Sequence, residues 1–330
     1  MKRTVKPFLD EIIDYAGLYP PASLELVDAF DTFLKHRNST HSWLLSKFVI
    51  GSSQLKELGE LLHKVPKKEL PIELAIVAPA TTEFNEFKQA ITTVVKEVAL
   101  LHKNHENKVR TGTLEIKLPV EAIYTGKGID AIKAIDYAVK VMGKSRLLPQ
   151  RLFFEIPGFD FDPKLAEKII RFIAAHNSQI QSMNLPYYIF SGFKIRCGGV
   201  EAHQFPPSKY LAKVMLAARD ENVAIKFTAG LHHPIRHYNE SVKTKMHGFL
   251  NTFGASILSY TQDLSEIEVV EMLEDENPDH FRFTDQYFAW KELAAPELEI
   301  KMLRMLSVLS FGSCSFNEPV EDLQELGVLT

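Results

Sequence analysis

Short apolar runs alternate along the chain with longer stretches whose apolar residues recur every three to four positions. Ile12–Ala16 predicts a first strand. Ser23–His36 predicts a helix with Leu24, Leu26, Val27, Phe30, Phe33 and Leu34 on its buried face and Ser23 as its N-cap. Trp43–Ile50 predicts a second strand, closed by Gly51-Ser52-Ser53, and Leu55–His63 the next helix. Ile72–Val77 and Thr113–Leu118 predict strands three and four, with helices at Glu83–His102 and near Ile129–Met142. Arg151–Ile156, Phe193–Cys197 and Val223–Thr228 predict strands five to seven, each closed by a glycine-bearing turn, with helices at Pro163–His176 and Pro207–Asp220 between them.

Seven strands in a row, most followed by a helix, predict a parallel sheet covered by helices. A spacing of roughly 30 to 40 residues per unit predicts closure into a (β/α)8 TIM-type barrel. The competing arrangement, an open doubly wound sheet, would carry a nucleotide fingerprint after its first strand, and this chain has none there. Two segments compete for the eighth strand, Phe281–Thr284 and Ser307–Phe311. The helical period of Glu297–Leu309 favours the first. There is no linker rich in Pro, Gly or Ser and no internal repeat, so residues 1–330 read as a single α/β barrel domain with a C-terminal elaboration. The acidic run Glu271–Glu276 reads as a solvated helix end.

Composition narrows the function class. The chain has 330 residues, 45% hydrophobic and 24% charged, enough for a large core without staples. A net charge of −4 argues against a nucleic-acid surface. No stretch approaches the roughly 20 apolar residues of a membrane span, and the N-terminal residues lack an apolar run of signal length. Two cysteines, Cys197 and Cys314, do not make a disulfide framework. The expectation is a soluble cytoplasmic protein whose partner is a small-molecule substrate, with neither nucleic acid nor membrane. Homo-oligomers are common in this fold class, but no position here locates an interface.

Charge falls where core strands are normally apolar. Strand four carries Glu115 and Lys117, strand five Glu155, strand six Lys194 and Arg196, strand seven Lys226 and Thr228. Alternation puts each pair on one face of its strand. If those faces point inward, the buried charges form either a structural ion-pair network or a site. Lys194 and Lys226, on neighbouring strands about 5 Å apart, are expected to disfavour each other's charged form. A lysine with a lowered pKa is the nucleophile of Schiff-base chemistry, and Glu155 could relay its protons. Gly198, Gly199 and Gly230 could offer backbone N–H groups to a phosphate, aided by Arg196 and Arg236.

The pair FKIRCGG and IKFTAGL resembles strands six and seven of the deoxyribose-phosphate aldolase family, chiefly over residues 150–230. Those class I aldolases carry a Schiff-base lysine in a K-T-S-T-G strand end and a second lysine in K-x-x-G-G on the next. The resemblance implies that Lys194 forms the imine and Lys226 tunes it. It also implies roles for Asp14 on strand one and for a phosphate loop at Gly312–Ser315, with Ser313 and Ser315. The chain departs from that pattern at Arg196, where the family has a small residue, and at His232-His233-Pro234 after strand seven.

Three function classes follow. The first is a Schiff-base lyase without cofactor, acting on a small phosphorylated or carboxylated carbonyl compound. The second is a hydrolase or isomerase using a divalent metal at the His232/His233 loop. The third is a barrel retained as a binding protein, with all interior charges paired.

Overall fold

The computed structural model describes residues 1–125, 129–144, 151–183 and 190–329. Seven strands follow the predicted order: β1 (Ile13–Tyr15), β2 (Leu45–Gly51), β3 (Ile72–Val77), β4 (Val109–Lys117), β5 (Arg151–Glu155), β6 (Phe190–Arg196) and β7 (Ile225–Thr228). Each pairs in parallel with the next, and helices cross over between most of them. The sheet closes into an eight-stranded barrel through Val308–Ser313, which lies between β7 and β1. Among the described residues, no helix is long and apolar enough to cross a membrane.

The eighth strand is therefore not Phe281–Thr284. Between β7 and the closing strand the chain forms a hairpin, β8 (His237–Asn239) with β9 (Thr244–Met246), then helices Phe249–Thr261 and Glu266–Glu274. A three-stranded antiparallel sheet follows, β10 (Phe281–Phe283), β11 (Tyr287–Trp290) and β12 (Leu293–Pro296). The tight turns joining these strands make them pair antiparallel with one another, and Val308–Ser313 takes the place between β7 and β1. The helix Glu297–Leu306 then supplies the crossover into β13 (Val308–Ser313). The helical period runs past its true end because Leu309 happens to continue it. Arg304 secures the junction: its Nε donates to Phe8 O at 2.8 Å and its Nη2 to Asp10 O at 3.0 Å, while Nη1 reaches Val308 O and Leu309 O. Ser23 is not the N-cap of its helix either. It has φ +46°, and the helix Leu26–Arg37 is preceded by Glu25.

Alternation along the strands sorts the core. Phe227 and Phe311 point outward and meet Phe253 and Phe249 of the helix Phe249–Thr261, at ring separations of 5.1 and 5.2 Å. Phe153, two residues before Glu155 on β5, points inward and fills the barrel beside Gly192 of β6. A Cβ on Gly192 would lie 2.5 Å from the Phe153 ring and 2.6 Å from Ala224 O. The missing side chain thus lets an aromatic ring serve as the interior layer beneath Lys194. Gly192→Ala is expected to lower stability by about 1–3 kcal/mol through overpacking against backbone that cannot yield. Chemical denaturation would measure this; an unchanged midpoint would show that β6 has slack there.

Candidate active site

The inward faces of β4 to β7 bring Glu115, Glu155, Lys194 and Lys226 together, and Asp14 joins them from β1. All five are buried. They form an unbroken chain of alternating sign. Lys226 Nζ lies 2.5 Å from Asp14 Oδ2 and also contacts Glu115 Oε1. Lys194 Nζ lies 2.8 Å from Glu115 Oε2 and 3.0 Å from Glu155 Oε2. Glu155 Oε1 then meets Arg196 Nε at 3.3 Å and Lys117 Nζ at 3.8 Å. At the other end Asp14 Oδ1 accepts from the Lys47 backbone N–H at 3.1 Å and faces Lys47 Nζ at 3.7 Å, while Ser310 Oγ donates to Oδ2 at 2.6 Å.

This arrangement reverses the expected lysine chemistry. Register pairs Lys194 directly with Lys226, but Glu115 bridges the two ammoniums. Burial alone would lower both lysines; the carboxylates on either side outweigh it and hold both above the ordinary lysine value. The acids answer in kind. Burial works to raise them, but the cations win. Glu155 is held down at about 2 by Lys194, Lys117 and Arg196, Asp14 is pulled down by Lys226 and Lys47, and Glu115 by the two lysines it bridges. The resting site is a set of ion pairs, with no neutral amine.

Above these charges opens a cavity of about 400 Å³ at the C-terminal ends of the strands. Its β1–β3 side is largely apolar, with Val49, Val77, Ala78 and the Tyr19 ring. Its β4–β7 side carries Glu115, Lys117, Glu155, Lys194, Arg196 and Lys226. Burial pushes the Tyr19 phenol up to about 12, with Glu115 adding to the rise and Lys194 opposing it, so its hydroxyl is a neutral donor at ordinary pH. Gly199, Thr228, Gly230, His232 and Cys314 complete the rim. Burial raises both thiols, Cys197 and Cys314, leaving neither activated.

Other expected residues lie elsewhere. Arg236 does not reach the cavity: its Nη1 donates to His247 Nδ1 at 3.0 Å, and its backbone N–H to Asn251. Ser313 is buried and accepts from Ser315 N, while Ser315 Oγ accepts from Glu318 N at the start of the helix Asn317–Glu325. Neither serine lines the cavity. His232 and His233 turn toward that same helix, pairing with Glu318 at 3.2 Å and Asp322 at 2.6 Å. Among the described residues, no group of three or more His, Cys, Asp or Glu is placed to hold a metal ion. Gly198 and Gly230 serve backbone approach. A Cβ on Gly230, which has φ +71°, would meet Gly198 Cα at 2.7 Å. In the following loop Gln204 Oε1 accepts from Val200 N and Glu201 N.

Lys47 and Ser310 escaped the sequence reading. Lys47 shares the inward face of β2 with Val49, and that alternation was readable. Ser310 depended on choosing the right eighth strand. No family model matches the chain, and no curated protein matches it.

Two outcomes follow from the pairing. Glu115→Gln leaves two buried ammoniums without their shared counter-ion and should destabilise the fold by about 3–5 kcal/mol; a loss below about 1 kcal/mol in urea unfolding would mean that the lysines do not depend on it. Stability should also be flat between two limits. The carboxylates are depressed when folded, so their contribution is full above the usual 4.5 and is lost as pH falls toward about 2. The lysines are raised, so theirs is full below the usual 10.5 and is lost as pH climbs beyond it. Thermal midpoints measured across pH would show this plateau; a maximum confined to neutral pH would contradict the pairing.

Proposed function

We propose that the protein is a Schiff-base-forming lyase that acts on a small carbonyl compound carrying a phosphate or carboxylate, with Lys194 as the nucleophile. The observation that carries this reading is a buried ammonium held between two carboxylates on the floor of an open cavity. Lys226 is sealed more deeply, with its side chain 1% exposed against 8% for Lys194, and suits a fixed positive charge rather than a nucleophile. The fold agrees in general terms, because barrels of this type place their chemistry at the C-terminal mouth.

A raised lysine pKa is compatible with imine formation if the proton leaves locally. Transfer of one proton from Lys194 to Glu155 or Glu115 gives a neutral amine and a neutral acid. The amine attacks the carbonyl carbon, and the acid returns its proton to the oxygen, giving a carbinolamine. The nitrogen then passes its extra proton, by way of the carboxylate, to the hydroxyl, the C–O bond breaks and water departs. The balance is one ammonium and one carbonyl in, one iminium and one water out. The iminium charge sits where the ammonium charge was, so the same two carboxylates stabilise both. The iminium accepts the electron pair of the Cα–Cβ bond as it breaks and becomes an enamine, while the β-hydroxyl of the departing fragment gives its proton to a carboxylate and becomes a second carbonyl. Tyr19, which lines the cavity as a neutral phenol, suits the role of hydrogen-bond donor to an oxygen of the substrate. Five cations face three carboxylates across the whole cluster, and the outermost, Lys117 and Arg196, suit the anionic group of the substrate.

Intact mass spectrometry after borohydride reduction, with a panel of aldehydes, ketones and sugar phosphates, tests the reading. Wild type should gain the mass of one reduced adduct, and Lys194→Ala should gain none. Equal trapping in Lys194→Ala would remove the nucleophile. The pH profile is a second check. Because the ion pair and the neutral pair hold the same number of protons, internal transfer makes the trapping rate level from about pH 5 to 9. A tenfold rise per pH unit would instead mean that the proton is lost to bulk water.

A further inference from the structure

A second and larger cavity, of about 840 Å³, opens at the opposite end of the barrel. Its inner wall is built from the N-terminal parts of the strands: Lys47 of β2, Gly112 and Thr113 of β4, Arg151 of β5 and Ser310 of β13. Its outer wall comes from the N-terminal segment and the helix Glu297–Leu306. Among the described residues, seven basic side chains line it against three acidic ones, in a chain whose net charge is −4. The local field therefore opposes the charge of the whole molecule.

Apart from Arg3, which pairs with Glu297 at 3.1 Å, and Lys47, which faces Asp14 at 3.7 Å, the cations fall into two sets. Arg151 and Arg304 are pinned by backbone carbonyls. Arg151 donates to Leu306 O at 2.8 Å and Met305 O at 3.2 Å, and Arg304 to the carbonyls that close the barrel. Their positions are held without neutralising their charge. Lys2, Lys6 and Lys301 are exposed, and among the described residues no carboxylate stands within ion-pair range of them. Lys47 is the innermost cation. Its stem lies over Gly112, where a Cβ would come within 2.7 Å of Lys47 Cε. Beside it Thr113 shares the inward face of β4 with Glu115, and its buried hydroxyl has no hydrogen-bond partner among the described residues. The hydroxyl is closed off from solvent, so an acceptor in the cavity meets it only after rotation of the Thr113 side chain about χ1.

We infer that this chamber binds a small, multiply phosphorylated molecule, with Lys47, Thr113 and Arg151 at its floor and Lys6 and Lys301 at its rim. Its volume is that of a metabolite site. Among the described residues no aromatic side chain lines it, so recognition rests on the phosphates rather than on stacking of a ring. The inference does not depend on imine chemistry at the other end of the barrel.

Calorimetric titration with pyrophosphate and tripolyphosphate at fixed ionic strength tests it. Wild type should bind one equivalent, and tripolyphosphate should bind more tightly. Lys6→Glu combined with Lys301→Glu should weaken binding by at least about tenfold. Thr113→Val removes a hydroxyl that has no partner in the free protein. It should weaken binding about threefold while leaving the thermal midpoint unchanged or raised. Undiminished binding in both variants would overturn the assignment. So would loss of binding in Arg196→Gln with retention in the double lysine variant, because that places the phosphate at the C-terminal mouth. Flotation with phosphatidylglycerol vesicles separates the sources: capture by vesicles without pyrophosphate binding would replace the soluble ligand with a lipid headgroup and overturn the proposal.

Discussion

Five ionised side chains inside a barrel are tolerable only as a sequence of alternating sign, and much of the site's architecture answers to that condition. Isolated, any one of them would be driven to its neutral form by burial. Placed in the order Asp14, Lys226, Glu115, Lys194, Glu155, each has at least one opposite charge within about 3 Å, and the ends are closed by Lys47 on one side and by Arg196 and Lys117 on the other. Six of the eight barrel strands contribute to this sequence directly, and β13 adds Ser310. Barrel closure and charge pairing are thus one requirement. If β13 were elsewhere, Asp14 would lose the Ser310 hydroxyl and β1 would lose a neighbour.

The interior has to make room for this layer. Long lysine stems from adjacent strands need small or flat neighbours beneath and above. Gly192 lets the Phe153 ring lie under Lys194, Gly112 lets the Lys47 stem cross β4, and Gly230 lets the loops after β6 and β7 touch. Aromatic residues crowd the outer faces instead, where Phe227 and Phe311 anchor the helix Phe249–Thr261. The C-terminal helix docks beside the mouth through two histidine–carboxylate pairs, so the loop after β7 acts as a fastening.

Much of the barrel was legible because its signals are local. Seven strands announced themselves as short apolar runs, several of them ending in glycine-bearing turns, and Ile72–Val77 matches its predicted limits. The inward charges were legible too, because a lysine or glutamate at alternate positions of such a run is costly to bury unless an opposite charge waits for it. What the chain concealed was non-local. The eighth strand follows a helix whose period overruns its end, and the antiparallel strands before it look equally strand-like in isolation. The sign of the lysine shifts was also hidden. Register alone set Lys194 beside Lys226 and suggested repulsion. Only the closed barrel shows that the Glu115 carboxylate, from a strand that neighbours neither lysine, reaches between them. Arg236 likewise looked available in sequence and is engaged by His247, whose imidazole burial holds down at about 4.

That reversal bears on the chemistry more than it counts against it. A lysine kept neutral by a neighbouring ammonium is ready to attack, but the imine it forms must then carry a positive charge beside another one. A lysine kept charged by two carboxylates must first surrender a proton, yet the cation it becomes is stabilised by contacts already made. The first arrangement favours formation of the adduct, and the second favours its persistence as the protonated, electron-accepting form. Here Lys226 is neutralised by Asp14 and Glu115, so the iminium at Lys194 would face Glu155 without an uncompensated cation behind it. On the proposed chemistry the barrier would shift from bond cleavage to proton transfer. The short path from Lys194 Nζ to either carboxylate, 2.8 and 3.0 Å, would let that transfer proceed without bulk water.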